Sequence, residues 1–260
     1  MPYIGQQPAP KVITSSDLSA DVVTEAKIAD NAVENEHLNA NVITGDTALG
    51  ATPADTDELL VSDAGTLKRV DFSYLKGGGA FEKLVTTSSA SVASVIFNNT
   101  YFTTTYRDYR IVITGMRPAS NSVTFQMQIS SDNGSNFLSA ANYKYVFHSG
   151  VSNASTSYYQ RSNGNDKFEL QAYSGVGTDT GETCGFIIDI FDPLNQNGDN
   201  NEFMFTARNG HKNSDAVFAI GVGGGVYEDG SGNIAYNADR FKMSSGNIDV
   251  GQFTLYGRKI

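Results

Sequence analysis

From Phe81 onward, hydrophobic and polar positions alternate in one short run after another: 109–114, 123–129, 143–147, 167–170, 186–191, 202–206, 216–220, 240–243 and 252–256. A period of two sends successive side chains to opposite faces of a sheet, so each run reads as a strand with one buried face. Clusters such as Asp132-Asn133-Gly134-Ser135-Asn136 and Asp229-Gly230-Ser231-Gly232-Asn233 lie between them and supply turn chemistry. The chain therefore predicts eight or more strands, and no amphipathic helix of ten residues competes with them. The fold class that follows is all-β: a C-terminal antiparallel β-sandwich of jelly-roll type over residues 80–260.

The N-terminal part keeps a different period. Leu18-Ser19-Ala20-Asp21-Val22-Val23-Thr24, Ile28-Ala29-Asp30-Asn31-Ala32-Val33-Glu34 and Leu38-Asn39-Ala40-Asn41-Val42-Ile43-Thr44 are near-copies ten residues apart, with Val12-Ile13-Thr14 as a partial fourth. The i to i+4 spacing of Leu18 to Val22 and of Leu38 to Val42 suits a helical turn, while the Val-Val-Thr and Val-Ile-Thr ends prefer extended backbone. A stalk of alternating helical turns and extended pieces is expected over residues 11–45. A left-handed coiled coil would need a repeat of seven, not ten. Each unit is too short to bury its own aliphatic face, so the expected partners are the same residues on neighbouring chains.

Two further segments flank this stalk. Residues 1–10 contain three prolines and a single aromatic-aliphatic pair, Tyr3-Ile4, whose ordering would require docking into a partner as an extended peptide. Residues 46–79 read as a small hairpin and hinge module, with strands over 57–63 and 65–70 around Asp63-Ala64-Gly65 and a helical turn over 72–75. Gly77-Gly78-Gly79 is a flexible joint; no Gly-Lys-Ser/Thr follows to make it a phosphate loop. Apart from Tyr3, every Phe and Tyr lies at Phe72 or later, which places the only large core in the C-terminal part.

Charge and chemistry narrow the function classes. Residues 1–79 carry 12 Asp/Glu against 5 Lys/Arg and hold most of the net charge of −10. Without clustered Lys and Arg, no nucleic-acid partner is expected. The N-terminus lacks a charged-then-apolar leader and no apolar stretch is long enough to span a bilayer, so synthesis in a cytoplasm without membrane insertion is expected. The lone cysteine, Cys184, sits in an apolar run and reads as core packing. His37, His148 and His211 are isolated in sequence, and neither the Asp132 loop nor the Asp229 loop fits a twelve-residue calcium cage, so no metal and no cofactor are expected. Asp189, Asp192, Glu202 and Glu182 are the carboxylates that could cleave a glycoside, although exposed charge on a sandwich is the plainer reading. Gly221-Val222-Gly223-Gly224-Gly225-Val226 is a glycine-rich strand end without a Rossmann helix. Loops rich in Tyr, Asn and Ser point instead to surface recognition, with Tyr158, Tyr159, Arg161, Tyr227 and Tyr236 as candidates to stack on sugar rings and bond hydroxyls.

Several stretches together resemble a known family. Met1-Pro2-Tyr3-Ile4-Gly5-Gln6-Gln7-Pro8, the decapeptide Ala26-Lys27-Ile28-Ala29-Asp30-Asn31-Ala32-Val33, the module from Glu58 to Val70 and the ending Gln252-Phe253-Thr254-Leu255-Tyr256-Gly257 resemble tail-fibre and related virion proteins of tailed bacteriophages, particularly marine ones. The stretch from Arg110 through Arg117-Pro118-Ala119 to Gly134 also looks like the sandwich domains of phage tail structural proteins. The resemblance implies a non-enzymatic homotrimeric fibre of the virion, made in the host cytoplasm. Its N-terminus would attach to other tail or capsid proteins through Tyr3, Ile4 and Pro8, and its outward sandwich would adhere to a host-surface glycan. In that reading three chains bundle through Ile13, Leu18, Val22, Ile28, Val33, Leu38, Val42 and Ile43. The chain departs from long fibres in having only three full repeats and no β-helical shaft, which leaves a capsid-decorating fibre or a tail adaptor as alternatives. A glycan-degrading enzyme is the alternative from another class.

Overall fold

The computed structural model describes residues 12–19, 24, 27–29, 32–33, 41–51, 53–75, 81–196, 198, 202–230 and 234–259. The chain divides into two units, Met1–Lys76 and Gly77–Ile260.

In the first unit the repeats form separate turns. The amide of Asp17 donates to the Thr14 carbonyl at 2.9 Å, and the amide of Lys27 donates to the Thr24 carbonyl at 2.9 Å, the same turn ten residues later. The first is a 3-10 turn, Ser15–Asp17, whose Asp17 carboxylate accepts from the Thr14 amide and hydroxyl at 3.0 and 2.8 Å. One short helix, α1 (Asn41–Thr44), closes the series. No helical stalk is seen among the described residues; of the expected alternation of helical turns and extended pieces, only these separate turns and the short helix are described. The physical reason is on the surface: Ile13 is 69% exposed and Val33 55%, and Leu18 and Ile28 are nearly half exposed, so a single chain covers these side chains only in part. Tyr3, Ile4, Pro8, Val22 and Leu38 lie outside the described residues, as do the side chains of Val42 and Ile43.

A hairpin follows, β1 (Glu58–Asp63) against β2 (Thr66–Asp71), with Asp63 opposite Thr66. The two turn residues, Ala64 and Gly65, both have positive φ, 49° and 82°, as a turn that continues the strand twist requires. Ion pairs Lys68–Asp63 at 2.5 Å and Arg69–Glu58 at 3.2 Å lie on its exposed surface, where such pairs contribute at most about 1 kcal/mol. The helical turn α2 (Phe72–Leu75) ends the described part of the unit.

The second unit is two antiparallel sheets. The large one takes β3 (Glu82–Val92), β5 (Tyr106–Pro118), β7 (Tyr143–Val151), β8 (Tyr158–Asn165), β10 (Cys184–Phe191), β11 (Phe203–Lys212), β12 (Phe218–Tyr227) and β14 (Ile248–Lys259) in the order β3-β14-β5-β10-β11-β12-β7-β8. The small one takes β4 (Val95–Phe97), β6 (Phe125–Ser130), β9 (Phe168–Glu169) and β13 (Ala238–Met243) in the order β4-β13-β6-β9. The chain crosses between the sheets repeatedly, so neighbours in a sheet are mostly distant in sequence. Strand β3, rich in Ser and Thr, was not evident from alternation; it is held at the sheet edge by β14, with the Thr86 and Thr254 hydroxyls 3.1 Å apart.

Aromatic side chains join the sheets. Phe125 of the small sheet lies 4.9 Å from Phe186 and 6.3 Å from Phe253 of the large one, and stacks at 5.8 Å on its neighbour Phe241. Farther along, Phe168 of β9 meets Tyr143 at 4.6 Å and Phe205 at 4.7 Å. The buried Tyr143 hydroxyl donates to the Leu138 carbonyl at 2.9 Å and accepts from the Ile129 amide at 3.2 Å, so burying it leaves no polar group unmet. Strand β10 shows the pattern most plainly, with Cys184, Phe186, Ile188 and Ile190 all buried.

One carboxyl interrupts this core. Asp239 on β13 is buried, and its Oδ2 has no hydrogen-bond partner among the described residues. Desolvation pushes its pKa up to about 8.

Two outcomes are expected. Phe125→Ala removes a fully buried ring that spans both sheets and should lower unfolding free energy by about 3–5 kcal/mol, read from urea denaturation of the sandwich transition. For Asp239 the folded pKa stands above the unfolded one. Its favourable contribution is complete below about pH 4 and is lost as pH rises to about 8. Urea midpoints at pH 5 and pH 8.5 should therefore drop more for the native chain than for Asp239→Asn, which carries no charge to bury.

Candidate functional site

With the inner face committed to the core, strand pairing fixes what the large sheet shows outward. One row crosses all eight strands: Thr86, Thr254, Val112, Ile187, Arg208, Val222, His148 and Tyr159, each opposite the next. Toward the middle of this row Val112, Ile187 and Val222 are aliphatic, with Arg208 between the last two. Val222 and Ile220 are more than half exposed on β12, and beside them Gly185, Gly210 and Gly150 leave the sheet surface bare. The result is a shallow groove of about 760 Å³, walled by Val112, Ile187, Ile220 and Val222, with Arg208 and His148 as its basic groups. Aliphatic walls offer burial to an apolar partner surface and few directed hydrogen bonds.

A second depression, of about 480 Å³, lies near one end of the same strands and is charged. Its lining is Arg107, Asp108, Phe191, Asp192, Glu202, Met204 and Arg258. Asp108 accepts from the Asp192 amide at 3.1 Å and from the Arg258 guanidinium. Asp192 accepts from the Gln196 amide at 2.8 Å and faces Arg107 Nε at 3.9 Å. Both carboxylates are buried, and Asp192 holds a left-handed backbone, φ 39°, that non-glycine residues seldom adopt. Strain of that kind is kept where the surroundings fix a side chain's direction. Burial, then the neighbouring Glu228 and Asp229, raise the Glu202 carboxyl above its ordinary value, against the lowering effect of Lys144. Its apolar lining is Phe191 and Met204, each about half exposed.

No protein-family model, no curated protein and no solved structure matches this chain.

The residues singled out from the sequence are distributed unevenly over this surface. Tyr159 is 68% exposed, with its ring 6.0 Å from that of His148, and Arg161 is exposed on the same strand. Both belong to edge strand β8, where a loop was expected. Tyr158 faces the other way, its ring 4.2 Å from Tyr173. Tyr227 and Tyr236 are corrections: at 2% and 3% exposure they are core residues. Tyr227 packs edge-on against Tyr143 at 4.8 Å, and Tyr236 against Phe203 at 6.0 Å, so their aromatic area goes into the sandwich and not to a ligand.

Of the four carboxylates considered for glycoside cleavage, the pocket contains Asp192 and Glu202. Asp189 instead forms a two-pronged pair with Arg110 at 2.6 and 3.0 Å, and Glu182 turns inward from an exposed loop, buried and accepting from the Asp179 amide at 3.0 Å. Asp108 and Arg258 were missed, because pairing across β5 and β14, 150 positions apart, is invisible to local pattern. The Asp132 carboxylate is occupied by its own turn, accepting from Ser130 Oγ at 2.6 Å and from Asn136 at 2.8 and 2.7 Å, and the Ser130 bond above all holds its pKa down at about 2. His211 is buried and neutral in its bonding: Nδ1 accepts from Asn209 at 3.1 Å and Nε2 donates to the Tyr173 carbonyl at 2.9 Å, while desolvation lowers its pKa. Among the described residues no group of three His, Cys, Asp or Glu side chains is placed to hold a metal.

The groove's floor gives a contrast that mutation can read. A Cβ at Gly150 would meet nothing within 4 Å, whereas one at Gly223, on the inner side of β12, would lie 2.3 Å from the Val146 carbonyl oxygen. Gly150→Val should keep stability or raise it by up to about 1 kcal/mol while filling the groove. Gly223→Ala should cost about 1–3 kcal/mol by forcing the β7 backbone aside. Thermal midpoints of the two variants against the native chain check both signs.

Proposed function

We propose that this chain is a non-enzymatic virion structural protein, a short trimeric tail fibre of a phage. It attaches to the particle by its N-terminus and presents its sandwich for adhesion to a host-surface glycan. The observation that carries the reading is the exposure of Ile13, Leu18, Ile28 and Val33 at matching or near-matching places in a ten-residue repeat, with the turn at Thr14 recurring at Thr24. Aliphatic side chains left in water contribute about 25 cal/mol for each Å² that a neighbouring copy covers, and a repeat multiplies that along the chain. The acidic excess of the same region keeps such a stalk soluble. The bare aliphatic groove on the large sheet supports a head in which the sandwiches of several copies pack together.

We further infer that the sandwich is of jelly-roll type. Support comes from strand order: β3-β14-β5-β10 facing β4-β13-β6-β9 has the alternation of an eight-stranded jelly roll, and β11-β12 with β7-β8 extends one edge of it.

The test is the oligomeric state of the full chain by multi-angle light scattering. The native protein is expected as three chains. Leu18→Asp, Ile28→Asp and Leu38→Asp together should yield single chains with an unchanged sandwich melting transition. A triple variant that remains three-chained, or a native chain that is monomeric, would remove the basis for the fibre.

A further inference from the structure

We infer that the charged depression at the end of β5, β10 and β14 is a saccharide subsite, one that takes a neutral hydroxyl-rich ring with Phe191 beneath it and Asp108, Asp192, Arg107 and Arg258 around its rim. The inference rests on the reading of the sandwich as an adhesion domain and gives that reading a location.

The chemistry of the lining selects this ligand class. Three carboxylates and two guanidiniums leave the pocket with a small negative excess, which disfavours phosphate, sulfate or a uronic acid. Asp108 already takes the Asp192 amide and Arg258, and Asp192 takes the Gln196 amide, so the carboxylates of the lining are held in place by donors while keeping acceptor capacity. A sugar hydroxyl both donates and accepts, so it can enter such a mixed rim without leaving either partner unmet. The Arg107–Asp192 pair sets a donor beside an acceptor on the lining, with Nε and Oδ2 3.9 Å apart. The exposed side of Phe191, with Met204 next to it, offers the apolar platform that the C–H face of a pyranose requires. A volume of about 480 Å³ falls in the range of small-molecule sites. The left-handed backbone of Asp192 supplies the remaining observation, a buried carboxylate held at the pocket's edge in a costly conformation.

The experiment is saturation-transfer NMR on the full chain with D-glucose, D-galactose and D-mannose, each at millimolar concentration, and a titration with whichever responds. At least one sugar should receive transfer. Phe191→Ala and Asp192→Asn should each weaken it about tenfold or more, a loss of about 1.4 kcal/mol, and Tyr159→Ala should leave it unchanged. Asn tolerates the left-handed backbone and Phe191 is half exposed, so both variants are expected to keep the native melting transition. Absence of transfer to all three sugars, or transfer that survives both variants, overturns the subsite. Release of nitrophenol from the p-nitrophenyl glycoside of the bound sugar also overturns it as an adhesion site, since Asp192 and Glu202 would then be an acid–base pair. Light scattering on the same sample separates the two readings: three chains without sugar transfer overturn the subsite alone, and a single chain with transfer overturns the fibre alone.

Discussion

The contact between Phe125 and the large sheet is the constraint on which the rest of this structure depends. Once that ring lies between Phe186 and Phe253, the strands that carry them have a fixed inner face, and a period of two leaves no freedom about the outer one. The aliphatic groove, the Arg110–Asp189 pair and the charged pocket are all outward consequences of that inward choice. A slip of one residue in β10 would bring Asp189 into the core and send Ile188 out, so the register is enforced by a charge on one side and a ring on the other.

How much of this was legible in the sequence depended on how local the determining interaction is. The hairpin at Asp63-Ala64-Gly65 could be read because its turn chemistry sits in three adjacent residues. Strands such as β10 and β14 could be read because their alternation is driven by large apolar side chains. Strand β3 could not, since Thr86 to Ser91 have neither apolar bulk nor contrast, and the strand exists through its ladder to β14 at the far end of the chain. Strand β12 was misread at its glycines, which lie inside the strand where Phe147, Phe168 and Phe205 leave no room for a side chain. Of the residues that the sequence offered for surface recognition, Tyr159 and Arg161 are exposed, while Tyr227 and Tyr236 went to the core because composition cannot tell an aromatic that recognises from one that packs. The pocket itself draws Arg107 and Asp108 from β5, Phe191 and Asp192 from the end of β10, and Arg258 from β14, an assembly that only tertiary pairing creates.

The two units pose opposite energetic problems. The sandwich buries its aromatics, while the described turns of the repeat region leave Ile13, Leu18, Ile28 and Val33 about half exposed or more. A fibre reading reconciles the two: one unit is complete as a single chain and can carry a recognition surface, and the other is incomplete until copies meet. On that proposal the acidic excess of the repeat region would keep assembled copies soluble and oppose lateral association between them.

Cys184 gives the molecule an internal clock. It is the chain's single thiol, sealed in the interior strand β10 with its hydrogen directed at the Met116 carbonyl, 3.4 Å from the sulfur, and burial pushes its pKa up. A thiol-reactive dye must wait for β10 to part from β5 or for the sheets to separate, so the labelling rate under native conditions counts openings of the sandwich.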